Sequence, residues 1–596
     1  MENNTEMMSR QVSRYLENNL TRRDFPADFL WGAATSCYQI EGAYKEGCKS
    51  FSNWDAFTLQ RPDKIHGGSN GCLAINHYNR YKEDVALMKK LGLNTYRFSL
   101  SWSRILPGGH LSAGINREGI DFYNDLIDLL IAEGIEPCVT LFHFDFPQCL
   151  QEEYGGFLSP LILKDFAEYV EVCFFEFGDR VKMWITENEP WAFTAGGYIL
   201  GAFPPGHGTP HPLYKSEDDD DQNKSCQYKT TSSADLFDNI PRPAAPFVMP
   251  RVALGIDPAA VYGCADAGTY GAAAAEMSDD GDDNNPDATE PYIVAHHLIL
   301  AHAKAVEIYR KHFQAVQGGK IGVTNMTTWY EPYSLSQPDI EAASRAVDFM
   351  WGWFVEPVVT GYYPKVMRDR VGDRLPEFTP EQREMVKGSY DFIGMNYYTT
   401  YWASYKPNPP WVKPNYYNDQ EVAFRTERNG VKIGKQAGSA WLFVVPRGIY
   451  ELLMHTKIKY NDPIIYITEN GVDEKNDPKK TMSEARHDPD RISYHMEHLA
   501  YMRLAMDRGV KLKGYYPWAL LDNFEWTEGY SVRFGFYFVD YTNNLIRCPK
   551  DSAIWYMNFL NNKILPPRNN REAAAEDIAA SASASGTVAK KRKGSM

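Results

Sequence analysis

Eight short β-prone runs recur along this chain between Phe29 and about Leu565, separated by stretches with helical character. The runs are Phe29–Thr35, Thr95–Ser99, Glu136–Phe142, Val181–Thr186, Lys320–Thr324, Tyr390–Met395, Pro463–Thr468 and Lys513–Pro517. Amphipathic segments such as Tyr78–Leu91, Arg117–Glu133, Pro160–Phe177, Pro291–His312 and Arg491–Arg508 lie between them. Strands that alternate with helices predict a parallel sheet, and eight repeats predict a closed (β/α)8 TIM barrel. The fifth run is the weakest of the set. In such a barrel the chemistry lies where the strands end. Nearly every run here is followed at once by a polar or aromatic group: Gln39, Arg97, His143, Asn188-Glu189, Asn396-Tyr397-Tyr398, Glu469 and Trp518. Packing alone requires no polar residues at those places, whereas a site at the barrel mouth does.

Two of these endings share a form. Thr186-Glu187-Asn188-Glu189-Pro190 follows Val181-Lys182-Met183-Trp184-Ile185, and Ile467-Thr468-Glu469-Asn470-Gly471 follows Pro463-Ile464-Ile465-Tyr466. A carboxylate at the end of an apolar strand is held rigidly at the rim of the sheet. A single Glu after a strand is most often a solvated loop residue or a helix cap. Two of them in matching contexts are what cleavage of a glycosidic bond with retention requires: one protonates the departing oxygen, and the other attacks the anomeric carbon.

The rest of the chain bounds this reading. Hydrophobic content of 44% supports a sizeable core, and aromatic content of 14% suits sugar recognition as well as packing. A net charge of −15 disfavours binding to nucleic acid or to an anionic membrane surface. The nine cysteines are scattered and odd in number, a pattern of free thiols in a reducing compartment. Nothing in their spacing suggests a metal site, and no cofactor is expected. Residues 1–23 form a polar extension with no apolar core of a secretory signal, and no run is long enough to cross a bilayer. The barrel should occupy 24–565. An insertion at about 206–287, just after the fourth run, interrupts it with Glu217-Asp218-Asp219-Asp220-Asp221, a Pro-rich patch and Asp279-Asp280-Gly281-Asp282-Asp283. It is acidic, aperiodic and too long for an ordinary loop, so it is expected to be largely disordered. It could serve as a lid, a partner-binding segment or a tolerated insertion, and Cys226 and Cys264 lie within it. From 566 to 596 a flexible Ala/Ser-rich tail ends in Lys590-Lys591-Arg592-Lys593, read as a tetrad for an import receptor or as a plain solvated charge cluster.

Taken together, from about Asp24 to Leu565, the chain resembles glycoside hydrolase family 1, the plant β-glucosidases. The stretches that carry the resemblance are Phe29-Leu30-Trp31-Gly32-Ala33-Ala34-Thr35-Ser36, Tyr96-Arg97-Phe98-Ser99, Trp102-Ser103-Arg104-Ile105, both Glu motifs, and Leu520-Leu521-Asp522-Asn523-Phe524-Glu525-Trp526. The resemblance implies that Glu189 is the acid/base and Glu469 the nucleophile, with Arg97 and Tyr398 near Glu469 to favour its charged form. It implies that Gln39, His143, Asn188, Glu525 and Trp526 bind glucosyl hydroxyls, that Trp518 is the stacking floor, and that Phe534 closes its edge. It also implies that Trp441, in Gly438-Ser439-Ala440-Trp441, is the platform for the leaving group.

Two positions depart from the family pattern. Phe144 stands where a Trp usually follows the histidine, and Glu187 stands where an apolar residue usually precedes Asn188. Glu187 would either point inward beside Glu189 or away into the barrel wall or solvent. Within the family, the basic tetrad looks most like the nuclear glucosidases of plant specialised metabolism that act on strictosidine and on secoiridoid glucosides. The expectation is therefore a nuclear β-glucosidase, or else a cytoplasmic one, acting on a strictosidine-like alkaloid glucoside. A secoiridoid or general aryl glucoside is the alternative substrate. Transglycosylation, or a silent paralogue acting as an interaction partner, are the competing roles, and a monomer and a homo-oligomer are equally compatible with the sequence.

Overall fold

The computed structural model describes residues 2–17, 20–209 and 286–563. Most of the 206–287 insertion and the whole 566–596 tail, with its basic tetrad, lie outside the described residues. Eight strands form the barrel: β1 (Leu30–Trp31), β2 (Thr95–Ser99), β3 (Glu136–Phe142), β4 (Met183–Asn188), β5 (Lys320–Met326), β6 (Phe392–Asn396), β7 (Ile465–Asn470) and β8 (Leu512–Pro517). Each is hydrogen-bonded to its neighbour in parallel, in the order β1-β8-β7-β6-β5-β4-β3-β2. The ring closes where Ala34 bridges Arg97 on one side and Trp518 on the other. The fold is thus the expected (β/α)8 barrel, its weakest predicted strand included. The first strand is shorter than its apolar run, because Gly32 to Ala34 hydrogen-bond on both sides without a regular ladder.

Helices His77–Leu91, Arg117–Ala132, Ile162–Phe177, Pro286–Ile308, Arg447–Lys459, Pro489–Asp507 and Asp551–Leu560 help to build the outer layer. The fourth starts earlier than its apolar pattern suggests, so Pro291 lies inside it. Apolar side chains divide into two buried clusters. The larger fills the space between sheet and helices. The smaller, with Ala34, Cys138, Ile185, Phe392, Tyr466 and Tyr516, comes from residues that alternate to the barrel interior. It continues upward to Trp518, Tyr398 and Phe534, so the packed core runs directly into the mouth.

The N-terminal extension is not free chain. Glu2–Glu17 is a helix whose Val12 is buried and whose Tyr15 hydroxyl donates a short bond to Asp507. The seven cysteines among the described residues are free thiols. Cys226 and Cys264 fall outside those residues. No described helix is long and apolar enough to cross a membrane.

Candidate active site

Both carboxylate strands end in irregular register. In β7 the pairing with β6 and with β8 shifts after Ile467, and in β4 the pairing with β5 shifts between Ile185 and Asn188. Tyr466 belongs to the interior cluster and Thr468 reaches inward to Asn396. Strict alternation would turn Glu469 outward, yet Arg97 and Tyr398 hold it from within. A register irregularity at a strand end re-aims a side chain in this way. The same device turns Asn188 inward on β4, where Arg97 and His143 meet it.

Glu469 is gripped on both oxygens. Arg97 donates from one terminal nitrogen to Oε1 at 2.5 Å, and the Tyr398 hydroxyl donates to Oε2 at 2.7 Å. The other Arg97 terminal nitrogen donates to Asn188 Oδ1 at 2.6 Å, so one guanidinium ties β2 to the ends of β4 and β7. Arg97 is fully buried, and such bonds between charged partners are the strong ones.

Glu189 has a different surrounding. Its backbone is left-handed, at φ 45°, and its N–H donates to Thr324 C=O at 2.8 Å. That turn lifts the side chain off the end of β4 toward β6, where Asn396 Nδ2 donates to Oε1 at 2.6 Å. Burial pushes its carboxyl up to about 8, the charge of Glu469 adds to the rise, and Asn396 and Arg97 oppose it. Two carboxyls within reach of each other's charge are thereby made unlike: one paired with a cation and a phenol, the other prone to keep its proton near neutrality.

Around them the remaining predicted residues converge. His143 lies between Trp518 and Trp526, with ring centroids 5.9 Å and 6.0 Å away and both planes at 15°. Asn188 Nδ2 donates to His143 Nε2 at 3.1 Å, which leaves the ring proton on Nδ1. Burial, aided by Arg97, pushes this histidine well below its usual range, so it is neutral. Gln39 accepts from Ser36 and donates to Asn523, to the Phe524 carbonyl and, at 3.4 Å, to Glu525 Oε2. Its amide is thus spent on holding the Glu525 loop. Burial pushes the Glu525 carboxyl well up, the charge of Asp473 adds to this, and a hydrogen bond from Trp518 opposes it. Two buried atoms of this group have no protein partner, His143 Nδ1 and Glu525 Oε1. They offer the His143 N–H and a carboxyl oxygen of Glu525 to a polyhydroxylated ligand, and buried polar groups without partners are uncommon enough to need such an explanation. Phe534 stands edge-on to Tyr398 at 6.1 Å, and half-buried Trp441 stands edge-on to it at 5.8 Å.

Asn396 was legible only as one of several polar residues after a strand. The structure makes it the direct partner of Glu189, with Thr468 donating to its Oδ1 at 2.7 Å. Glu187 does not reach solvent: it is 1% exposed, its Oε1 has no partner, and burial alone drives its carboxyl well up. It adds no like charge beside Glu189, whose shift has other causes. Phe144 packs 5.1 Å from Trp526 and 5.8 Å from Phe203.

The sequence matches the model described as glycosyl hydrolase family 1 over residues 21–225 and 276–564. It is 51% identical over 568 residues to the oleuropein β-glucosidase of Olea europaea, covering 95% of this chain and 94% of that protein. It is 47% identical over 585 residues to the raucaffricine-O-β-D-glucosidase of Rauvolfia serpentina, covering 96% and 99% respectively. Among solved structures, a rice β-glucosidase superposes with a TM-score of 0.77 at 40% identity, over 91% of this chain and 99% of its own.

Proposed function

Since this chain belongs to glycosyl hydrolase family 1, and is accordingly a retaining β-glucosidase, we propose that Glu189 is its acid/base, that Glu469 is its nucleophile, and that its substrate is a glucoside of a plant specialised metabolite. The observation that carries the assignment is the inequality of the two carboxyls. Glu469 accepts from Arg97 and Tyr398 and is ready to attack the anomeric carbon. Glu189, pushed up to about 8, holds the proton that the leaving oxygen needs. The glycosyl–enzyme bond then removes the charge on Glu469, Glu189 can ionise, and it takes the proton of the water that releases glucose. His143 Nδ1 and Glu525 Oε1 would bind sugar hydroxyls. Trp518 would lie under the ring, and Asn188, oriented by Arg97, would meet the 2-hydroxyl.

The relatives named for oleuropein and raucaffricine support an aglycone drawn from specialised metabolism and do not single out strictosidine. Half-buried Trp441 offers a flat face to a bulky leaving group, which suits a strictosidine-like alkaloid glucoside and the two named glucosides alike. Glucose release from strictosidine, oleuropein, raucaffricine and a simple aryl glucoside discriminates among them. A preference for strictosidine makes this an alkaloid deglucosylase, and a preference for oleuropein replaces that reading. Glu469→Gly should be inactive alone and yield the inverted glycosyl azide with added azide; full activity without azide would refute the nucleophile. The tetrad Lys590-Lys591-Arg592-Lys593 supports delivery to the nucleus. A fluorescent fusion lacking it should spread into the cytoplasm, and an unchanged nuclear signal would remove the proposal.

A further inference from the structure

The hairpin that carries Trp441 lies outside the barrel. Its short strands, Lys435–Gln436 and Phe443–Val444, pair antiparallel with each other and with no barrel strand. Between them the tip closes on itself through Ala437 N–H to Leu442 C=O at 2.9 Å and Leu442 N–H to Ser439 C=O at 3.4 Å. A two-strand ribbon of this length has little stability of its own.

One carboxyl holds the tip from below. Asp473 follows Glu469 on the same chain by four residues. Its Oδ1 accepts from Gly438 N–H at 3.1 Å, and its Oδ2 accepts from Ser439 N–H at 2.8 Å. The Ser439 hydroxyl donates a further, short bond to the same Oδ2. Asp473 is 4% exposed, so these bonds are shielded from water. The approach is tight: a Cβ on Gly438 would stand 2.8 Å from the Glu474 carbonyl carbon. That contact explains why glycine serves here. Beyond Asp473 the chain enters a second ribbon, Glu474–Lys475 paired with Val532–Arg533, and Phe534 comes next. Asp473 therefore stands where the nucleophile's strand, the Trp441 hairpin and the ribbon leading to Phe534 meet.

We propose that Asp473 is a positioning residue for aglycone selection, anchoring the Trp441 hairpin to the strand end that carries Glu469 and so setting the gap between the tryptophan face and the reacting carboxyl. The inference rests on the reading of Trp441 as the leaving-group platform. Asp473 is turned to backbone N–H groups and a hydroxyl of its own protein. Its influence on turnover should therefore scale with the size of the leaving group, and that dependence should vanish when Trp441 is gone.

The test is a double-mutant cycle read with two substrates. Asp473→Asn places an amide where Ser439 and Gly438 both donate, and Ser439→Ala removes only the hydroxyl. Asp473→Asn should lower kcat/KM for a bulky polycyclic glucoside by about tenfold or more, mainly through KM. Because the charge of Asp473 also acts on Glu525, the loss is read against 4-nitrophenyl glucoside, which should lose several-fold less. Ser439→Ala, which keeps that charge, should leave 4-nitrophenyl glucoside within about twofold and lower the bulky substrate less than Asp473→Asn does. In a Trp441→Ala background Asp473→Asn should not change the ratio of the two substrates. Hydrogen exchange over residues 437–442 should quicken in Asp473→Asn. Additive losses in that ratio, equal losses on both substrates, or unchanged exchange over 437–442 would each overturn the inference. A Trp441→Ala enzyme with unaltered bulky-substrate kinetics would instead remove the premise about Trp441, and the inference with it.

Discussion

Replacing Glu469 with Gln should lower the pKa of Glu189, and the size of the fall can be worked out. In the free enzyme burial raises that carboxyl to about 8, with the Glu469 charge as the second cause. Retaining pairs stand roughly 5–5.5 Å apart, and at an effective dielectric constant of about 20 two unit charges at that distance repel by about 3 kcal/mol, or ~2 pH units. Gln keeps the shape and removes the charge, so the ionised form of Glu189 is favoured and its pKa should drop to about 6. Arg97, left without a carboxylate on Oε1, pulls in the same direction. The burial contribution remains, which keeps Glu189 above an ordinary glutamate. The assay is carbon-13 NMR titration of protein labelled at the glutamate carboxyl carbon. The resonance that disappears between Glu469→Gln and Glu469→Gln/Glu189→Gln is the one to follow. Wild-type kcat/KM should fall on an alkaline limb near the value that burial and Glu469 together set. The covalent intermediate also neutralises Glu469, so this shift is what would let one residue act first as acid and then as base. A Glu189 that stays near 8 in Glu469→Gln would refute the reasoning, because burial alone would then set it.

Tyr398→Phe removes a 2.7 Å bond from Glu469 Oε2. A bond to a charged group is worth about 1.5–3 kcal/mol, so kcat/KM for an aryl glucoside should fall about 10- to 150-fold, and a loss under about twofold would count against the role of that phenol. Glu187 is neutral in the fold, its carboxyl held well above the usual value, whereas in the unfolded chain it ionises above about 4.5. Its cost therefore grows as pH rises from the unfolded value toward the folded one. Glu187→Leu should then stabilise the protein by about 1–3 kcal/mol at pH 7 and by less at pH 4.5; thermal midpoints that show no gain at either pH would refute this. The flanks of the insertion are already tied together, with Thr209 Oγ1 donating to Asp287 Oδ2 at 2.8 Å and His207 pairing with Glu290 at 2.8 Å. Replacing residues 210–285 by a Gly/Ser linker of about six residues should leave aryl-glucosidase activity within about twofold, since loop closure changes slowly with length. A large loss in folded protein would give that segment a part in catalysis.

How far the sequence could be read depended on what fixes each element. β2 and β3 matched their predicted spans because aromatic, β-branched and apolar residues fill most of both, although Arg97 and Ser99 interrupt the first and Glu136-Pro137 opens the second. β4 and β7 run two residues further than their apolar runs, to Asn188 and Asn470. Polar Glu and Asn there read as loop, yet the ring pairs them, and the register shifts that aim them leave no mark in composition. Asn396 was visible as a polar strand end; that its amide meets Glu189 depends on a left-handed turn two strands away. The helix at Glu2–Glu17 was missed because its packing rests on few apolar side chains such as Val12.

The same physics separates what the enzyme does from what it acts on. The groups that would perform the chemistry stand on strand ends, where parallel pairing fixes each residue against its neighbours and a single buried arginine links three strands. Reaction class is therefore written in short motifs that survive reading one residue at a time. The face that would meet the leaving group hangs on a hairpin with no hydrophobic period, attached to the barrel through contacts such as those on Asp473. A change in the tip, in Asp473 or in the ribbon behind Phe534 could each move Trp441 without touching a catalytic motif. Relatives about half identical to this chain are named for glucosides as different as oleuropein and raucaffricine. On the reading proposed above, aglycone choice would depend on how one loop is tethered, and hydrogen bonds such as those from two backbone N–H groups and a serine to Asp473, or from Tyr401 to the Trp441 carbonyl, leave almost no trace in sequence.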